Sequence, residues 1–214
     1  MDRFFDSNNP IMQFLARIVD LAVLNLMTVA CMIPIVTAGA AITAMNNVLI
    51  HLVRKDETYV WKMFMNSFKQ NLKQGIGVGL LFTAIFAVAI LELVMLHSID
   101  AKSSTMFMIV ITVIGLCIFA VAIYTFALLS RFENTVKGTL VNAVSLALGH
   151  ILRTLGMLVI WAAWALLLWY AHGLAPLVFL LYGLTIPGFL CTMIYDPAFQ
   201  KMETNEESTA EDDK

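Results

Sequence analysis

The sequence predicts an all-α protein: a polytopic transmembrane bundle of five or six helices, with two cytoplasmic amphipathic helices at the membrane interface. Three observations predict it. Of the 214 residues, 60% are hydrophobic and only 13% charged, against about 25% charged in a soluble globular domain. Four apolar runs, 76–97, 105–129, 154–172 and 174–195, each approach or exceed the roughly 20 residues that cross a bilayer. Lys and Arg gather between the runs, most densely in the connections 54–74 and 130–153. So few charges cannot solvate a surface around such runs, and lipid is the solvent that fits.

The N-terminal part reads as follows. Asn9–Pro10 is a helix start, an Asn cap followed by Pro at the first helical position. A helix from Pro10 to about Met32 is roughly 35 Å long at ~1.5 Å per residue, enough to span. Pro34 and Gly39 then interrupt the pattern. Residues 37–53 are apolar but short, and hold Asn46, Asn47 and His51. This stretch is either a sixth span inside the bundle or a re-entrant segment protected by its neighbours. Ala38, Gly39, Ala40, Ala41 and Ala44 allow close helix approach there. The first residues lack the pattern of a removable signal peptide.

Residues 61–74 place Trp61, Phe64, Met65, Phe68 and Leu72 in one arc at helical spacing, with Lys62, Lys69 and Lys73 beside it. That pattern predicts a helix lying at the interface, or a surface for a cytoplasmic partner. Gly75 and Gly79 form a GxxxG at the start of the 76–97 span. Ser103 or Ser104 can cap the 105–129 span. From Arg131 to Arg153 a second connecting helix is expected, with Leu140, Val144 and Leu148 recurring every four residues. His172–Gly173 is a tight hairpin between the last two spans, and Pro187–Gly188 interrupt the last one.

The basic connections 54–74 and 130–153 belong in the cytoplasm, and the poorer connections 98–104 and 172–173 outside. The C-terminus is then cytoplasmic. Six spans would place the N-terminus inside as well and leave Lys102 as the one external cation; five would turn Arg3, and with it Arg17, outward. Six is the preferred count. Residues 1–202 form one membrane domain carrying a net +3, and 203–214 an acidic tail of net −5 expected to be disordered and solvated.

Ionisable groups within spans are expensive and default to functional candidates. Arg17 and Asp20 can pair on one face of the first helix. Glu92 near the outer end of its span either snorkels or faces a cavity. Asn25, Asn46, Asn47 and His51 are the most polar intramembrane group, suited to interhelical hydrogen bonds or to a polar solute pathway. Trp161 and Trp164 either pack in the core or stack on a sugar ring, while Trp169 and Tyr170 suit an aromatic belt. Cys31, Cys117 and Cys191 lie in separate apolar runs with no metal-site spacing, so each reads as a small buried apolar side chain. No metal site, cofactor or nucleic-acid partner is expected, and no motif points to an enzyme.

The blocks RFFDSNNPIMQFLARIVDLAVLNL, IPIVTAGAAITA, NSFKQNLKQG and RFENTVKGTLVNA resemble the YesL-like family, domain of unknown function 624. The resemblance covers most of residues 3–153. It implies a multi-pass protein of a bacterial plasma membrane with a role beside carbohydrate uptake. It supplies no catalytic residues. Three functions follow as expectations: an accessory or scaffold protein engaging a membrane transporter complex or its own copies, a small-solute transporter, or a membrane-embedded sensor or regulator.

Overall fold

The computed structural model describes residues 10–56, 59–97, 102–132 and 135–212. Among them there is no strand, and helices follow one another with short breaks. Helix α1 is Pro10–Met32, α2 Ala38–Arg54, α3 Val60–Gln70, α4 Leu72–His97 and α5 Lys102–Leu129. Helix α6 is Val136–Gly149, α7 Ile151–Tyr170, α8 Ala175–Tyr182 and α9 Thr185–Asp212. Helices α1, α2, α4, α5 and α7 are each long and apolar enough to cross a membrane, and α8 with α9 makes a sixth segment bent by 47°. The protein is an integral membrane protein. The Asn9 cap lies outside the described residues, and Ser103 and Ser104 sit within the first turn of α5, past the cap position expected of them.

Antiparallel α4 and α5 form a hairpin whose depth register is set by phenylalanines. Phe82 meets Phe126 at 5.7 Å between ring centroids, and Phe86 meets Phe119 at 6.3 Å. The start of α4 and the end of α5 therefore lie at one end of the bundle, called here the basic end for Arg54 and Arg131, which meet there. Helix α2 starts and finishes near that same end. Gly39 packs backbone to backbone on α4, where a Cβ added to it would stand 2.6 Å from Gly79 Cα. Ile42 packs into the cluster of Val78, Phe82, Ala122 and Phe126. Farther along α2, Asn47 reaches Ser130 and Ile50 packs with Ala127, Leu128 and Phe132. A helix running parallel to α4 would touch opposite ends of the hairpin with its two ends. Helix α2 instead lies across it, and glycines at 39, 75 and 79 permit the close crossing. Of the two readings of 37–53, this geometry matches the segment sheltered by its neighbours.

The amphipathic face of α3 is divided. Val60 and Phe64 are buried with Leu24, Met27, Val48, Leu49 and Leu52, and Phe68 stacks on Phe64 at 6.1 Å. Trp61 is 63% exposed and Tyr59 83%, so these two rings are left for the surroundings. Leu72 already belongs to α4. In α6 the buried side chains are Thr139, Ala143 and Ala147, whereas Val144 and Leu148 face outward and Leu140 is half-buried. Small residues turned inward and large apolar ones outward suit a helix whose surroundings are lipid. Thr135 caps α6 by accepting from the Gly138 N–H at 3.3 Å.

One sequence expectation needs correction. Burial of the cysteines holds fully for Cys191 alone: Cys31 is half-buried and Cys117 exposed. Helix α9 carries on into the acidic segment as far as Asp212. No Gly or Pro interrupts that segment, and Glu203 ties its first residue to the membrane domain.

Candidate functional site

Asn25 is fully buried on α1 and faces the break between α8 and α9. Its Nδ2 donates to the carbonyls of Phe179 at 3.0 Å and Leu180 at 2.8 Å. Its Oδ1 accepts from the N–H of Leu184 at 2.9 Å and of Thr185 at 3.2 Å. A broken helix leaves unpaired carbonyls on one side and unpaired N–H groups on the other. One amide can bond two of each, and Asn25 does so with its whole hydrogen-bonding capacity, sharing the Phe179 carbonyl with the Gly183 N–H at 2.8 Å. Trp164 adds a fifth bond, its Nε1 donating to the Gly183 carbonyl at 3.0 Å.

Asn46 serves different neighbours. Its Nδ2 donates to Ile42 O at 2.9 Å, and its Oδ1 accepts from the buried Tyr195 hydroxyl at 3.1 Å. Asn47 donates to Ser130 O at 2.9 Å. The four residues read as one polar group thus point to three places: Asn25 to the helix break, Asn46 to α9, and Asn47 with His51 to the end of α5. His51 stands 2.8 Å by Nδ1 from Asp56 Oδ2 and 3.4 Å by Nε2 from Arg131 Nη1. Arginine can only donate, so Nε2 accepts and the ring proton on Nδ1 goes to Asp56.

That histidine is the edge of a larger network. Arg54, the last residue of α2, places Nη2 2.7 Å from Asp196 Oδ1 and donates from Nη1 to Glu203 Oε2 at 2.9 Å. Arg131 donates to Glu203 Oε1 from Nη2 at 2.9 Å and from Nε at 3.1 Å. Gln200 Nε2 donates to the second Asp196 oxygen at 2.7 Å. The Asp196 side chain is 5% exposed and that of Arg54 17%. Two cations and two anions balance, which lets them sit together away from water. The network joins α2, the segment after α5, and α9. Sequence reasoning missed Arg54, Arg131, Asp196 and Glu203 as a unit. The available signals were an acid directly after the last apolar run and two arginines at helix ends.

The remaining candidates are dispersed. Arg17 and Asp20 are half-buried on α1, and among the described residues no ion pair joins them. Glu92 lies on the exposed surface of α4, away from the cavity described next. Lys62, Lys69 and Lys73 are exposed. Lys62 lines a polar cleft of about 370 Å³ with Asn47, Tyr59, Asn66, Ser67 and Gln70. Among the described residues no group of His, Cys, Asp or Glu is placed to hold a metal ion.

Between α2, α4, α5, α7 and α9 lies a cavity of about 270 Å³. Phe82, Phe86, Phe119, Phe126 and Trp161 form most of its wall, and Asn46, Thr83 and Cys191 contribute polar atoms. Trp161 stands edge-on to Phe119 at 5.5 Å. No charged side chain lines it.

A family model described as "Protein of unknown function, DUF624" matches residues 21–93, from the middle of α1 through most of α4. It is the family expected from the sequence. No curated protein and no solved structure matches the chain.

Proposed function

We propose that this integral membrane protein is an accessory or scaffold protein of the bacterial plasma membrane, one that engages another membrane component instead of carrying a polar solute. The observation that carries the reading is the internal use of the intramembrane amides. Asn25 spends all its hydrogen-bonding capacity on a helix break, and Asn46 and Asn47 bond within the protein to Ile42, Tyr195 and Ser130. A polar solute pathway needs such groups free to exchange partners. The charges of Arg54, Arg131, Asp196 and Glu203 neutralise one another, which leaves no coupling-ion site among them. The exposed Tyr59, Trp61 and Lys62 at the start of α3 form the surface for a partner. The association with carbohydrate uptake rests on the family resemblance.

The basic end is cytoplasmic by the distribution of Lys and Arg. On the reading that α2 lies across that end, the chain has five spans in place of the preferred six, with the N-terminus outside and the C-terminus inside. In a background with Cys31, Cys117 and Cys191 replaced by alanine, Gln13→Cys and Leu174→Cys should label with an impermeant maleimide from outside, and Ser145→Cys only after permeabilisation. Labelling of Gln13→Cys from the inside would restore six spans. For the function, affinity capture from mild detergent should retain a stoichiometric transporter subunit, lost on Trp61→Ala with Lys62→Ala. Purified protein that moves a sugar into liposomes unaided would replace this reading with that of a transporter.

A further inference from the structure

The cavity among α2, α4, α5, α7 and α9 is larger than the engineered hole of about 150 Å³ that stays dry and takes up benzene. Its wall is rich in aromatic rings and uncharged, with polar atoms only from Asn46, Thr83 and Cys191, so an ion finds no charged partner there and a sugar few hydrogen bonds. In its wall the buried Trp161 indole N–H has no hydrogen-bond partner. The Cys191 thiol faces that nitrogen, but sulfur is a weak acceptor.

The way in is lateral. Helix α4 packs on α2, α3 and α5 and makes no extensive contact with α7, α8 or α9. A seam is left between α4 and those helices, and Thr83, exposed on α4, stands at its rim. The outer surfaces of α4 and α7 carry Leu80, Val88, Leu91, Val159 and Leu166, all exposed and apolar. They face the hydrocarbon of the bilayer. What meets the seam is therefore lipid tails, and water is excluded from it.

We propose that this cavity is a binding site for one hydrocarbon chain of a bilayer lipid, inserted through the seam beside Thr83 and lying along the phenylalanines against Trp161. The chain replaces the contacts that a void would forfeit along four aromatic rings. Phe→Leu changes along the wall would loosen it without adding charge.

The site is tested by tryptophan quenching in vesicles of phosphatidylcholine whose acyl chains carry bromine, which quenches on contact. Full-length protein is compared with Trp161→Phe to isolate the emission that depends on Trp161, and with Trp169→Phe to isolate that of Trp169, which is 77% exposed. At a low fraction of brominated lipid, a held chain is enriched over the bulk, so Trp161 should be quenched several-fold more than Trp169. Thr83→Phe at the rim and Ala122→Phe in the wall should each abolish that excess and leave Trp169 unchanged. Equal quenching of the two tryptophans in the unmodified protein overturns the proposal even if neither filling variant folds. So does excess quenching that both filled variants retain, since Trp161 would then be touched from outside the cavity. Excess quenching that disappears as protein density in the vesicle rises would give the cavity to a second copy. A non-bilayer amphiphile extracted from protein that shows no quenching would give it to a free ligand. Either result overturns the lipid assignment.

Discussion

The α8–α9 segment is anchored at two places by opposite chemistries. At the break, one neutral amide, Asn25, closes four backbone groups. At the basic end, four ionised groups hold α9 to α2 and to the end of α5. The difference follows the solvent. Within the hydrocarbon region a broken helix must have its backbone groups satisfied by protein, and a neutral side chain does so without importing charge. Near the aqueous boundary charges are tolerable, and their reach lets Arg54 grip two positions on α9. The two anchors hold a bent, Pro-containing segment to different neighbours, Asn25 to α1 and the ion pairs to α2 and the end of α5.

The largest effect is expected where charge is stranded. Arg54→Ala leaves Asp196 almost fully buried without its partner, and breaking such a pair costs about 3–5 kcal/mol. The loss should appear as a large drop in thermal midpoint in detergent, read by fluorescence-detected size-exclusion. The double change Arg54→Met with Asp196→Leu removes both charges and should recover most of that loss, because an apolar pair of similar size commonly matches a buried ion pair. A double variant no better than Arg54→Ala would mean that the network's geometry matters more than its charge balance.

Asn25→Leu is the corresponding cut at the other anchor. Intramembrane hydrogen bonds average about 0.6 kcal/mol each, so four together amount to about 2 kcal/mol. Asn25→Asp sharpens the comparison. Its carboxylate can still accept from Leu184 and Thr185 N–H but repels the carbonyls of Phe179 and Leu180, and it should destabilise more than Leu above the pH at which it ionises. If Asp were tolerated as well as Asn, water would have to reach the break, and the neutral-amide account would fail.

These two anchors were unequally legible in the sequence. Asn25 stood out because a polar side chain in an apolar run is conspicuous, although its partner, a helix break 154–160 residues away, is not visible from the run itself. The spans were legible because length and hydropathy are local properties. The crossing of α2 was only half legible: Pro34 and the short apolar run left a sixth span and a sheltered segment both open, with six spans preferred, because the direction of α2 depends on contacts with α4 and α5. The ion-pair network was not legible. Arg54 read as one of several interfacial cations, and Glu203 as the first acid of a tail, 149 positions apart in the chain. Charge pattern signals orientation in the membrane; it does not say which charges meet.

The smallest effect is expected at Glu203, where the comparison meets the solvent. Its side chain is 26% exposed, so water screens it more than Asp196. Glu203→Gln keeps one oxygen for Arg131 but turns an NH₂ group toward Arg54, which retains Asp196. The loss should be about 1 kcal/mol or less and shrink as salt is raised, whereas that of Arg54→Ala should be nearly salt-independent. A second readout separates anchoring from stability. Among the described residues Glu203 is the farthest point along α9 held to α2 and the end of α5 by ion pairs, so weakening it should speed proteolysis of the segment beyond residue 203 while cleavage within 60–70 is unaffected. Equal protection of that segment in both proteins would show that Asp196 and Gln200 alone anchor α9, and that the second cation on Glu203 adds nothing to its hold.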